Sequence, residues 1–348
     1  MNKRAYFDWN ATAPLKAEAR TAMISVMSNL GNPSSIHTEG RAAKAIIDTA
    51  RMQLAEAFGA SNSDIIFTSG ATEAATLALN SKNIKCSKVE HPCISSHCEN
   101  SLTVDANGKI LISDLEISSI QSANSETGIL QDIPAGIYLS DFVQSFCKIS
   151  IAFEWTGAMR GILSAHKIGG PKGVGALVVR SGTEVSDMFG GGGQEMGRRS
   201  GTENVIGIAG FGAAVSAANR DLENGVWEEV SNLRDLLEEG IEASASDTIF
   251  IGRDVDRLPN TSCISIPGWS GETAVMQLDL AGFAISSGSA CSSGSVSRSE
   301  VLNSLGYDDV TAGSAIRVSL GPYNTEEEVL NFVDVWSNFY KKFKAKVA

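Results

Sequence analysis

A short apolar run, Ile65-Ile66-Phe67-Thr68, turns at Ser69-Gly70 directly into a helix of small residues, Ala71 to Leu79. A buried strand that enters a helix through one glycine is the building step of an α/β protein, and it constrains this chain more than any other feature. More such runs follow at Ile117–Ala123, Ile137–Leu139, Ile162–Leu163 and Ala176–Val179, which read as mostly parallel strands. Helical spacing lies upstream. Met23, Val26, Met27 and Leu30 fall at i, i+3, i+4, i+7, and Ala43, Ile46, Ile47, Ala50, Leu54, Ala57 and Phe58 follow the same period. Gly59 supplies a stop to the second helix.

The texture changes near residue 225. A charged helix at Trp227–Ile241 leads to a strand near Cys263–Ile266 and a helix at Glu272–Leu280. A Ser/Gly loop at Ser286–Ser295 and a strand at Ala315–Leu320 come next. The last helix opens on Thr325-Glu326-Glu327-Glu328, a capping box, and its apolar face is Val329, Phe332, Val333, Trp336, Phe339 and Phe343. We expect a large α/β domain over 15–224 and a smaller α+β domain from 1–14 and 225–348. The length of 348 residues suits two domains.

The net charge of −12 would repel a phosphate backbone, so nucleic acid is not an expected partner. Val205–Ala218 is too short to span a bilayer, and MNKRAYFDWNATAP has no apolar core of a secretory signal. The expectation is a cytoplasmic protein with no membrane contact. Its six cysteines are too scattered for a disulfide framework. His91, Cys93, His97 and Cys98 fall close together, but their spacing matches no common structural zinc motif, so no metal is expected.

Four features bear chemistry. Thr68-Ser69-Gly70-Ala71-Thr72-Glu73 puts free N–H groups at a helix start, where a phosphate binds well; taken alone it also reads as an ordinary helix cap. Lys167, after Ser164-Ala165-His166, is a solvated turn residue or a Schiff-base amine. Asp141 follows a strand, on the ligand side of such sheets, where a pyridinium nitrogen would find a carboxylate. Cys291 sits on a small polar loop, as an incidental thiol or a reactive one.

Together these features resemble the class V aminotransferase family of fold-type I pyridoxal-phosphate enzymes, and within it the NifS/IscS-type cysteine desulfurases whose reactive Cys lies on a long loop. The resemblance runs nearly end to end. It includes Tyr6-Phe7-Asp8, Asn10-Ala11-Thr12, Gly31-Asn32-Pro33-Ser34-Ser35, Glu90-His91, Asn124 with Glu126-Thr127-Gly128, and Gly170-Pro171-Lys172-Gly173. Further on come Gly191-Gly192-Gly193-Gln194-Glu195, Arg199-Ser200-Gly201-Thr202-Glu203-Asn204, Leu258-Pro259-Asn260-Thr261 and Ile316-Arg317-Val318-Ser319-Leu320.

The resemblance implies pyridoxal 5'-phosphate held covalently by Lys167, with Asp141 on the ring nitrogen, Gln144 on the ring hydroxyl and His91 stacked on the ring. It implies a phosphate site of Ala71, Thr72, Ser164 and His166, with Thr202 reaching in from the other subunit of a dimer, homo- or heteromeric. Asn124, Ser125 and Arg317 would hold the substrate L-cysteine, Arg317 by its carboxylate, and Lys167 would move the Cα proton. Cys291 would take the sulfur as a persulfide, release alanine and pass the sulfur to an acceptor or scaffold protein for iron–sulfur clusters or related products. The alternative is a degenerate cofactor-binding partner subunit with little activity of its own.

Two departures from the family stand out. Ser125 replaces the second Asn of an Asn-Asn-Glu run, and Met196 replaces an Arg. The chain is also trimmed at Asn80–Lys88, between Leu115 and Ile117, and between Gln131 and Ile137, where Pro134 and Gly136 exclude a helix. Parallel strands normally need a covering crossover, so an apolar strip of sheet should be left for something to cover.

Overall fold

A computed structural model describes residues 4–80, 82–185, 188, 190–288 and 299–347. Its central sheet has five strands in the order Ser63–Thr68, Gly175–Arg180, Arg160–Ser164, Leu139–Asp141, Ser119–Gln121. Four run one way and Gly175–Arg180 runs against both neighbours, so the sheet is mixed, with one strand departing from the parallel reading. The reason is the short link. Ser164 pairs with Gly175, and the residues between hold only the 3-10 turn Ala165–Lys167 and a short loop, while a parallel return needs a longer, usually helical, crossover. Lys85–Ser87 and Glu99–Leu102 form a parallel pair beside this sheet, bridged to it at Lys85 and Ser118.

Several boundaries shift. The strand expected at Ile117–Ala123 is confined to Ser119–Gln121, because Leu115–Ile117 winds into a 3-10 turn capped by the Asp114 side chain. The helix Thr38–Ala57 buries Ala43, Ile47, Ala50 and Leu54, and Gly59 at φ +57° ends it as expected. The helix Ala17–Val26 does not bury the stripe read from its spacing. Only Ala19 is buried in it, and Ile24, Met27 and Leu30 face outward.

Two apolar clusters organise the chain. One packs the sheet against the helices, from Ala19 through Phe58, Phe142 and Phe153 to Phe211 and Ala218. The other joins Ala5 and Phe7 to Trp227, Leu237, Ile264, Phe332 and Trp336. The N-terminal strand Ala5–Tyr6 enters it by pairing with Phe283–Ala284. The last helix, Glu326–Val347, starts on the expected capping box: Glu328 N donates to Thr325 Oγ1 at 3.2 Å and Thr325 N to Glu328 Oε2 at 3.2 Å.

The trimmed edge is not bare. Ile120 and Leu139 are both buried within this one chain. Leu102, Val104, Ile110 and Ile112, from a loop closed by a Val104–Ile110 bridge, pack in the cluster that holds Ile120. On the other face Leu139 packs with Leu79, Ile84, Ile94 and Tyr138, and the Tyr138 hydroxyl donates to Ala78 O at 2.9 Å. A folded-back loop on one face, and the helices Ala71–Leu79 and Pro92–Ser95 with their neighbours on the other, thus do the work of the missing helices. Among the described residues no helix is long and apolar enough to cross a membrane.

Candidate active site

The C-terminal ends of the four parallel strands open into a cleft of about 680 Å³. It gathers Ala71, Thr72, His91, Ser125, Asp141, Gln144, Ser164, His166, Lys167 and Arg317 from segments far apart in sequence. A larger and more open groove of about 920 Å³ lies elsewhere and is lined by none of these residues.

Each position has a local cause. The helix Ala71–Leu79 starts at Gly70, so the first-turn amides of Ala71 and Thr72 have no partner within the helix. The Glu73 side chain accepts from Ser69 N at 2.6 Å and pairs with Arg199 at 2.8 Å, which fixes the turn. Gly175 lets the neighbouring strand approach, since a Cβ there would lie 2.6 Å from the Gly70 carbonyl carbon. Lys167 closes a 3-10 turn directly after the strand Arg160–Ser164. Its Nζ donates to Asn10 O at 2.5 Å and Ala11 O at 2.9 Å, so the N-terminal segment lies against it. His166 Nδ1 is 3.2 Å from Thr12 Oγ1.

The charges here are out of balance. Asp141 ends its strand buried at the cleft wall, accepts the Val143 N–H at 2.8 Å, and forms no ion pair among the described residues. Burial raises its carboxyl from 3.8 to about 6, against the backbone hydrogen bond and the Lys167 charge. Glu90 beside it is pushed well above the carboxylate range, first by burial and then by Asp141, and accepts from Gln121 N at 2.6 Å. His91 is lowered to about 4 by burial and by Lys167. Its Nδ1 accepts from Cys93 N at 3.2 Å, so the proton of the neutral ring sits on Nε2. His166 is likewise lowered to about 4 by burial and the lysines around it.

At the other end Arg317, on the strand Ala315–Ser319, donates through Nη2 to Asp8 Oδ1 at 2.7 Å and through Nη1 to Ser125 O at 2.9 Å. Asp8, Asn10 and Lys172 line the cleft without having been given roles from the sequence. All three lie in stretches that carried the resemblance, which was the available signal.

Three expected residues stand apart. Asn124 does not line the cleft. Its Oδ1 accepts from Glu126 N, Thr127 N and Thr127 Oγ1, and its Nδ2 donates to Val89 O, so the amide holds its own turn. Thr202 is exposed, outside its own chain's cleft. Cys291 lies outside the described residues. Among those residues no group of three His, Cys, Asp or Glu is arranged to hold a metal.

The cleft fits pyridoxal phosphate on its own geometry. A buried carboxylate without a cation suits a protonated ring nitrogen, a lysine amine reaches the same space, and a helix start with free amides suits the phosphate.

The class V aminotransferase family matches residues 5–332 of this chain. The chain belongs to that family, and its curated relatives carry cysteine desulfurase names. Cysteine desulfurase IscS of Dictyoglomus turgidum is 36% identical, over 99% of this chain and 96% of the relative. Cysteine desulfurase of Cereibacter sphaeroides is 36% identical, over 96% and 95%. Among solved structures, a NifS-like protein from Rickettsia africae superposes with a TM-score of 0.87 at 33% identity, covering 97% of this chain and 99% of its own.

Proposed function

We propose that this chain is a pyridoxal-phosphate-dependent cysteine desulfurase that moves sulfur from L-cysteine to Cys291 and releases L-alanine. One observation carries the reading: the fold brings Lys167, Asp141 and Arg317 into a single cleft. When bound, the cofactor supplies an electron sink for a carbanion at the substrate Cα. Lys167 would hold it covalently and move the Cα proton. Asp141 would stay ionised against the ring nitrogen, Gln144 would donate to the ring oxygen, and neutral His91 would stack on the ring. Ala71, Thr72, Ser164 and His166 would hold the phosphate, with Thr202 supplied by the partner of a dimer. Arg317 would take the substrate carboxylate in a charge-assisted pair, beside Ser125. The Cys291 thiolate would attack the cysteine sulfur. The C–S bond breaks, sulfur stays as a persulfide, and a second thiol on an acceptor protein collects it for iron–sulfur clusters or related products in the cytoplasm.

The rival reading, a degenerate partner subunit, draws on Ser125 and the trimmed helices. Burial of Ile120 and Leu139 within this one chain weighs against the second of these. The test is purified protein reconstituted with pyridoxal phosphate, then assayed with L-cysteine and a thiol reductant. Alanine and sulfide should appear in equal amounts. Bound cofactor with no alanine would return the rival reading, and no bound cofactor would overturn both.

A further inference from the structure

Lys148 is 2% exposed, and none of the roles above uses it. Its Nζ lies 3.0 Å from Gln144 Oε1 and 3.0 Å from Asn10 Oδ1, and no carboxylate pairs with it among the described residues. Lys167 and Arg317, both cations, bear on its charge, and on its other side Lys148 lines the larger groove with Glu238, Asp256, Arg234 and Arg257. Burial first, and then the Lys167 and Arg317 charges, hold its amine well below the ordinary lysine range. The two acceptors take two of its N–H groups.

Both acceptors turn an oxygen toward Lys148. Asn10 Nδ2 donates to the backbone carbonyl of Ser125 at 3.3 Å and to Thr261 Oγ1 at 2.8 Å, so Asn10 Oδ1 must face Lys148. The Gln144 amide is held at both ends, Nε2 donating to the backbone carbonyl of Asn10 at 3.0 Å and Oε1 accepting from Lys148. That same Asn10 carbonyl accepts from Lys167. The second N–H of Gln144 remains, on a side chain that lines the cleft.

We propose that Lys148 is a positioning residue: by donating to Gln144 Oε1 and Asn10 Oδ1 it locks the Gln144 amide so that N–H, and not C=O, is offered to the cofactor's ring oxygen. This rests on the cofactor reading above. An N–H donor favours the anionic form of that oxygen, whereas a flipped amide would set an oxygen against it.

The experiment follows the pH midpoint of the absorbance change of bound pyridoxal phosphate in four proteins: wild type, Lys148→Met, Gln144→Leu and the double variant. Lys148→Met should raise the midpoint by about one pH unit, because the anionic form loses its donor. In the Gln144→Leu background the same change should move it little, because the group acted upon is gone. An unshifted midpoint in Lys148→Met that binds cofactor would overturn the proposal. A shift of equal size in both backgrounds would also overturn it, since Lys148 would then act by its own charge. If Lys148→Met fails to fold, Lys148→Gln, which ends one atom short, takes its place under the same expectations. A wild type without cofactor absorbance would instead sink the cofactor reading, and the proposal with it.

Discussion

The two ends of the cleft handle buried charge in opposite ways. At one end Asp141 is buried with a single backbone donor and, among the described residues, no cation paired to it. At the other, Arg317 is as deeply buried but already bonded to Asp8 and to the Ser125 carbonyl. An unpaired buried charge costs stability until a ligand of opposite sign arrives, whereas a paired one is balanced beforehand. The first end is therefore strained toward a cationic ring and should gain much from it. The second is preorganised, and a substrate carboxylate must share its guanidinium with Asp8.

The largest effect should come at the strained end, where the proposed covalent link is all or none. Lys167→Ala should abolish the cofactor label that borohydride fixes to the wild type, as read by mass spectrometry of the intact chain. A label that persists would make another amine, such as the cleft-lining Lys172, the attachment point.

Arg317→Ala should come next. Two hydrogen bonds to a charged group, at roughly 1.5–3 kcal/mol each, correspond to a fall in kcat/KM for L-cysteine of about 10²–10⁴. A loss below tenfold, with melting unchanged, would mean that Arg317 serves Asp8 and not the substrate.

Asp141→Asn separates stability from binding. The folded carboxyl titrates at about 6 against an ordinary value of 3.8, so between these values the folded chain binds more protons than the unfolded one. Ionisation therefore lowers stability as pH rises through this window, with no penalty below it and the full penalty above it. Two units correspond to about 3 kcal/mol as an order of magnitude. Cofactor-free Asp141→Asn should thus be more stable than wild type in urea at pH 8, with the gap closing toward pH 4, while its affinity for pyridoxal phosphate falls. A gap equal at both pH values would show that Asp141 is not the strained group.

The same contrast separates what the sequence made legible from what it did not. The end holding Ser69–Thr72, Asp141–Gln144 and Ser164–Lys167 is written in local signals, a glycine turn and the last residues of strands. The Asp8–Arg317 pair joins residues 309 positions apart, and no periodicity reports it. Spacing cannot say whether an amide faces a ligand or its own turn, and the Asn124 oxygen bonds its own turn. The reversed strand was missed because an apolar run carries no direction; only the length of its link does. The covered sheet edge depended on Val104, Ile110 and Ile112 folding back, which is tertiary and left no pattern of its own.

The smallest predicted effect tests whether the preorganised end is complete. Arg317 uses the backbone carbonyl of Ser125, and so does Asn10 Nδ2. The side chain at this position is therefore free to change without breaking either bond. Ser125 is half-buried and lines the cleft, so an asparagine there would add an amide donor beside Arg317. One bond to a carboxylate contributes roughly 1.5–3 kcal/mol, and ordering the longer side chain returns part of it. Ser125→Asn should then raise kcat/KM for L-cysteine by about tenfold, the equivalent of 1.4 kcal/mol. The gain should appear in KM if the bond forms equally with substrate and transition state, and in kcat if it forms only in the latter. An unchanged or lower kcat/KM would mean that Arg317 and Asp8 already fill the carboxylate's coordination. The two ends of the cleft would then differ only in the sign of the charge that they leave for a ligand.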